Sequence, residues 1–321
     1  MIGSERWTND NRQNRQVTNK EHRVGLLLPS REVLLWLDSD FGFLVKAAAA
    51  AERLGYDSVW VGDSLLARPR GEPLSLLSAI AGATSKVQLG TGVLLPLLRH
   101  PLLLAQALAT LDRLADGRLI VGAGPGNELP GTHTELKAIG VRSDHRVGDM
   151  LAALDRVRRL WRGEDEVKLE PRPRRPEGPP IWLAAHGPRM LRATGESFDG
   201  WLPLPPTPEV FAAGLRAVRE AAERAGRDPA AVTPGVYLTV AVAGSPESGA
   251  RELDEYIRAY YGAPAEVMAK AMAMHGGTIE SARAWIGAYR EAGAEHVVLR
   301  IARPGLDDYE DAARMLLDAT R

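Results

Sequence analysis

The chain has no cysteine, only six lysines among its 40 cationic residues, and few aromatic side chains, which make up 6% of its 321 residues. Without cysteine there is no disulfide, no thiolate metal ligand and no cysteine nucleophile, as is common in the reducing cytoplasm. A net charge of −1 gives no general attraction to nucleic acid or to an anionic membrane. No apolar run approaches the roughly 20 residues that span a bilayer. We therefore expect a cytoplasmic protein with a small-molecule substrate and no nucleic-acid or membrane partner.

Several catalytic signatures are also missing from the sequence. His-Glu-x-x-His and similar ligand spacings do not occur, so no metal site is predicted. Gly-x-Ser-x-Gly, which marks many hydrolases, is absent as well. The first strand-turn-helix carries no Gly-x-Gly-x-x-Gly, the fingerprint of a dinucleotide-binding sheet.

The pattern along the chain predicts a disordered arm over residues 1–22 and a single domain over residues 23–321. Within the domain, short β-rich runs alternate with helical patterns, which is typical of a parallel sheet covered by helices. We favour a (β/α)8 TIM barrel with loop and helical insertions over an open doubly wound sheet. The eight predicted strands are Val24–Leu28, Ser58–Val61, Val87–Val93, Leu119–Gly122, Ile181–Ala185, Trp201–Leu204, Val236–Val242 and His296–Ile301.

Two segments are candidate lids. Residues 164–180 are rich in proline and charge and cannot form regular structure throughout, so they are either an insertion or a lid. Residues 260–278 are rich in Met, Ala and Tyr, which suits either an apolar pocket wall or an amphipathic helix packed on the barrel. As a pocket wall, the second segment favours a hydrophobic or conjugated substrate and would use Tyr260, Tyr261, Met268, Met272 and Met274.

In a barrel of this kind, binding and catalysis take place at the carboxyl ends of the strands. The third strand ends in Gly90-Thr91-Gly92, although glycine weakens a strand and packs nothing. Either the chain bulges there or a ligand lies against the backbone. Polar turns follow other strands: Asp63 and Ser64 the second, Asn127 and Glu128 the fourth, and Ala185, His186 and Gly187 the fifth.

The turn after the fifth strand leads into a predicted helix near Pro188. Free amides at a helix start bind anions, and the glycine would let a phosphate approach them. The alternative is an ordinary strand-to-helix turn.

Three stretches together resemble the luciferase-like monooxygenase family of flavin and deazaflavin oxidoreductases. They are "AAAAAERLGYDSVWVGDSLL", "KVQLGTGVLLPLLRHPLLLAQALATLDRLADGRLIVGAGPGN" and "IWLAAHGPRMLRATGESFDGW". The resemblance implies an eight-stranded barrel with a planar tricyclic cofactor across its mouth. It also implies a cis peptide bond at Gly92-Val93, with Val93 pressed against the central ring, although an ordinary trans bulge is the alternative.

Further site residues follow from the same resemblance. Asp63 matches an acidic residue at the cofactor, and Ser64 stands where relatives often carry a histidine placed for proton transfer. Asn127 falls where some relatives have a catalytic glutamate, with Glu128 beside it, so we predict Asp63, Asn127 and Glu128 as catalytic. The residues predicted to bind the cofactor are Asp63, Gly92, Val93, Ala185, His186 and Gly187, the last three around its phosphate.

The cofactor implied is coenzyme F420, with FMN as the alternative. The reaction would then be hydride transfer between F420 and a small organic substrate, or, with FMN, activation of O2 by the reduced flavin. A barrel hydrolase or aldolase and a non-catalytic family member remain as distant alternatives. Relatives commonly pair through helices beside the barrel, so a homodimer is predicted.

Overall fold

A computed structural model describes residues 22–126, 130–142 and 144–321 of the chain. Eight parallel strands form a closed barrel in the order β6-β5-β4-β3-β2-β1-β9-β7, and pairing of β6 with β7 closes it. The predicted TIM barrel is confirmed. The strands are β1 Arg23–Leu27, β2 Ser58–Val61, β3 Gln88–Thr91, β4 Leu119–Ala123, β5 Ile181–Leu183, β6 Gly200–Trp201, β7 Thr233–Val242, β8 Met274–Gly277 and β9 His296–Ile301.

Helices cover the outside of the barrel and bury their apolar faces against the strands. Several end at a glycine, as α2 does at Gly55 and α6 at Gly163, because the last carbonyls need a left-handed residue to close the turn. The helices are α1 Glu32–Trp36, α2 Gly42–Leu54, α3 Pro73–Ala83, α4 Pro101–Leu114, α5 Pro130–Ala138, α6 Arg146–Arg162, α7 Gly187–Ser197, α8 Pro208–Arg224, α9 Pro246–Tyr261, α10 Ala265–Met268, α11 Ile279–Glu291 and α12 Tyr309–Asp318.

Strand β8 was not among the predicted strands. It lies in the segment 260–278, where the end of α9, then α10, then β8 follow one another. β8 pairs only with the carboxyl end of β7, beyond the point where β6 ends. Its two glycines pack directly on Gly249 of α9, so its sequence lacks the β-branched pattern of a strand.

The interpretation of residues 164–180 as a lid is wrong, because the segment lies at the other end of the barrel. It connects α6 to β5, and connections from a helix to the next strand run at the amino ends of the strands. There the Arg174 amide donates to the Asp112 carboxylate over 2.7 Å, and Arg113 donates to the Arg172 carbonyl. The segment therefore fastens α4 rather than covering the mouth.

Large side chains fill the barrel below the mouth. They form one cluster made of Leu27, Trp60, Ile120, Trp182, Leu202, Tyr237 and Val298. At its base, Ser58 Oγ lies 2.7 Å from His296 Nε2 and accepts a hydrogen bond from the Trp60 indole N–H. Burial, reinforced by the nearby Arg23, lowers the pKa of His296 to about 3.

We predict that His296 makes the fold sensitive to acid. At pH 7 the imidazole is neutral in both the folded and the unfolded chain, whereas at pH 5 only the unfolded chain takes up the proton. Between pH 7 and pH 5 the protein should therefore lose about 2 kcal/mol that a His296→Gln variant does not lose. Urea unfolding of the wild type and of His296→Gln at pH 7 and at pH 5 measures the difference between their free energies of unfolding. If this difference is the same at both pH values, the prediction is contradicted. His145→Gln, at an exposed histidine, is the control.

Candidate active site

The end of β3 carries a bulge. Gly90 pairs with Ile120, and the next paired residues are Leu94 and Ala123, so β3 holds one more residue than β4 over this stretch. The Gly92-Val93 peptide bond within the bulge is cis, as predicted. The Val93 side chain packs on the cluster that fills the barrel, as Leu204 does. An apolar step therefore projects from β3 at the mouth.

The glycines around this bulge have separate reasons. A Cβ at Gly90 would lie 2.2 Å from the Trp60 ring, so Gly90 is required by packing inside the barrel. A Cβ at Gly122 of β4 would lie 2.1 Å from the Thr91 carbonyl oxygen and 3.3 Å from a methyl of Val93. Gly90 of β3 thus makes room for a tryptophan inside the barrel, and Gly122 of β4 makes room for the bulge.

Asp63 lies beside the bulge with its carboxylate already paired. One oxygen accepts the Leu95 amide over 3.0 Å and Arg99 over 2.6 Å, and the side chain is 5% exposed. Arg99 also pairs with Glu72 over 2.7 Å. In this arrangement Asp63 fixes the chain that leaves the bulge. Its predicted catalytic and cofactor-binding roles stay predictions.

Ser64 makes a contact that the sequence did not reveal. Its hydroxyl donates to buried Glu135 of α5 over 3.2 Å and accepts the Arg68 amide over 2.9 Å. The same Glu135 oxygen accepts the backbone amides of residues 65–67. Glu135 therefore holds the loop after β2 against α5. Asn127 and Glu128, which were predicted to be catalytic together with Asp63, lie outside the described residues.

A cleft of about 320 Å³ opens where the starts of α6 and α7 meet, lined by residues 144–148 and 186–190. Ala185, which precedes this lining in the chain, is buried, and His186 is the N-cap residue of α7. Gly187 has φ of +75°, and a Cβ there would meet no atom within 4 Å. Partial burial lowers the pKa of His186, so its imidazole is neutral at pH 7. Two helix starts thus face one cleft beside arginines 146 and 189.

Sequence reasoning missed a second polar group at the mouth, which we call the arginine–tyrosine cluster: Arg31, Arg68, Arg70, Arg300, Tyr260 and Tyr261. Arg31 follows β1, Arg68 and Arg70 lie in the loop after β2, and Arg300 is on β9. The tyrosines end α9. One signal was available: along β9, His296 and Val298 face the barrel interior, so Arg300 two residues further must face inward as well.

Comparison with known proteins identifies the family. The sequence profile of the luciferase-like monooxygenases matches residues 20–311, and the chain belongs to this family. A phthiodiolone/phenolphthiodiolone dimycocerosates ketoreductase of Mycobacterium bovis is 37% identical over 223 residues, which cover 58% of this chain and 57% of the relative. An F420-dependent hydroxymycolic acid dehydrogenase of Mycobacterium tuberculosis is 34% identical over 231 residues, covering 66% of this chain and 62% of the relative.

The chain thus spans less than two thirds of the length of these relatives. Among solved structures, an F420-dependent secondary alcohol dehydrogenase, in complex with an F420-acetone adduct, shares the fold. Its TM-score is 0.77 at 21% identity, covering 94% of this chain and 99% of that one. Proteins similar to this chain in sequence or fold use F420 or FMN. Within the described residues, no helix has the length and apolar character to cross a membrane.

Proposed function

We propose that this protein is an F420-dependent oxidoreductase that transfers a hydride to or from a small organic substrate with a hydrophobic or conjugated body. The observation that carries the proposal is the bulge at Val93. The bulge places the apolar Val93 side chain on the cluster that fills the barrel. A cleft formed by two helix starts lies at the end of β5, two strands away.

The residues present fit a planar cofactor that bears a phosphate. Val93 and Leu204 offer an apolar surface for a ring system. The open space at Gly187 lets a phosphate reach the amides of α7, with buried Ala185 and the N-cap residue His186 preceding it in the chain. Because His186 is neutral, the positive charge that would attract an anion comes from the helix starts and from arginines 146 and 189.

Bound at this site, F420 would supply the exchange of a hydride with the substrate carbon. Oxidation of an alcohol then removes a hydride from carbon and a proton from oxygen, and the proton passes to water; reduction of a ketone is the reverse. The chain's own residues would orient the substrate and keep water from the reacting carbon. The apolar wall suits this role, since Met268, Met274 and Tyr261 are only partly buried where they pack near the mouth.

An FMN-dependent monooxygenase is the second candidate, because a protein of the same fold binds FMN. Titration of the purified protein with F420 and with FMN, oxidised and reduced, separates the two. We expect F420 to bind at least tenfold more tightly, and anaerobic reduction of F420 with some member of a panel of secondary alcohols. Strict dependence of turnover on O2 would contradict the F420 proposal. The homodimer is likewise proposed and is read from light scattering of the same sample.

A further inference from the structure

The arginine–tyrosine cluster has a large excess of positive charge. Within the described part of the chain, no carboxylate oxygen lies within 4 Å of the guanidinium nitrogens of its four arginines. Buried Glu32 lies nearby, but its carboxylate accepts hydrogen bonds from the Tyr256 hydroxyl and the Arg31 backbone amide. Arg300 is 2% exposed. A buried cation is costly unless it is paired, and among the described residues no carboxylate pairs directly with these guanidinium groups.

The guanidinium groups contact neutral side chains instead of a carboxylate, and Tyr260 is the central one. Arg70 donates to its hydroxyl over 3.0 Å, while Arg300 and Arg31 lie 4.7 Å and 5.2 Å from its ring. Arg300 also donates to the hydroxyls of Thr239 and Tyr261. The Nε of Arg31 is buried without a hydrogen-bond partner. Three guanidinium groups therefore converge on one uncharged side chain.

The cluster is well separated from the cleft assigned to the cofactor phosphate. Around the barrel, β1 lies four strands from β5 in either direction, which places it opposite. Arg31 follows β1, and Arg70 and Arg300 belong to its two neighbours, β2 and β9. Arg70 nevertheless borders the bulge, since its guanidinium occupies the space that a Cβ of Gly62 would take, beside the Gly92 carbonyl. An anion held there would lie at the far end of a ring placed across the mouth.

Exposed apolar side chains occur in or next to the segments that carry the cluster. Leu35 follows β1, Leu65 and Leu66 lie in the loop after β2, and Val267 lies in α10; each is at least 40% exposed. Cations inside and aliphatic groups outside suit a molecule with an acidic head and an apolar body.

We propose that Arg31, Arg70 and Arg300 bind the carboxylate of the substrate, which is an organic acid with an apolar chain. The assignment rests on the proposed function, because it identifies the substrate class of that oxidoreductase site. Binding moves the Tyr260 hydroxyl aside and gives the arginines the charged acceptor that they lack. Tyr260 lies in the last turn of α9, two residues before Gly262, which has φ of +73°.

The test uses octanoate as the acid and octan-1-ol as its neutral match. Both are titrated calorimetrically into the protein alone and into the F420-loaded protein. We expect octanoate to bind the wild type at least tenfold more tightly than octanol, and Arg70→Met to remove that preference. Tyr260→Phe, which removes only the competing hydroxyl, should bind octanoate at least as tightly as the wild type. Arg53→Met is the matched control, because Arg53 is an exposed arginine of α2 that pairs with Glu310.

Separate outcomes test the two proposals. If F420 fails to bind, the proposed function is overturned, while octanoate binding to the protein alone still reports on the cluster. If the wild type does not prefer octanoate, or if Arg70→Met keeps the preference, the acid site is overturned even though F420 binds. Competition between octanoate and F420 would also overturn it, because the cluster would then hold the cofactor.

Discussion

Replacing Gly187 by valine should lower the affinity for F420 at least a hundredfold while the barrel stays folded. Gly187 has φ of +75°, where a β-branched residue is strained, and its missing Cβ leaves the cleft open at the start of α7. Valine would place two methyl groups where a phosphate must meet the amides. Hydrogen bonds to a charged group contribute about 1.5–3 kcal/mol each, so the loss of two accounts for a hundredfold change.

Gly226→Val is the matched control for this substitution. Gly226 has φ of +70°, and a Cβ there meets no atom within 4 Å, but it follows α8 at the opposite end of the barrel. Both variants should lose about 1–3 kcal/mol of stability from backbone strain. Only Gly187→Val should lose the cofactor, as measured by quenching of F420 fluorescence. Equal affinity in wild type and Gly187→Val would reject the phosphate assignment.

Local sequence patterns predicted the barrel, and at the end of the third strand they gave a bulge as one of two interpretations. Strands and helices alternate along the chain with periods of two and 3.6 residues, and this alternation depends on neighbours in sequence. The cis bond at Gly92-Val93 could be placed only through the family resemblance, whereas the turn at His186 is a local feature, a strand end followed by a helix start. Even there, the pattern did not explain Gly90, whose absent side chain makes room for a tryptophan of the preceding strand.

Contacts between distant segments could not be predicted in this way. Asp63 was expected at the cofactor, yet Arg99, 36 residues later, pairs with its carboxylate. The segment 260–278 contains one cation, Lys270; the arginines that face its tyrosines come from β9 and from the loops after β1 and β2. Side chains from three connections meet at the mouth only once the barrel closes.

Replacing Gly122 by alanine should both destabilise the barrel and weaken cofactor binding. The new Cβ would lie 2.1 Å from the Thr91 carbonyl oxygen. This oxygen cannot move away easily, because hydrogen bonds on either side of the bulge tie β3 to Gly122. The Gly122 carbonyl accepts the Thr91 hydroxyl over 2.7 Å and the Leu94 amide over 2.8 Å. One methyl group must therefore push β3 and β4 apart, at a cost of about 3 kcal/mol.

The same displacement moves Val93, which lies 3.3 Å from the position of that Cβ, so F420 affinity should fall at least tenfold. Gly82→Ala in α3 is the control with the opposite sign. A Cβ at Gly82 meets no atom within 4 Å, and alanine should raise the free energy of unfolding by about 0.5–1 kcal/mol. Urea unfolding and F420 titration of both variants measure the two effects. If Gly122→Ala keeps wild-type stability and affinity, β4 does not hold the bulge in place, and Val93 is supported only by the side chains inside the barrel.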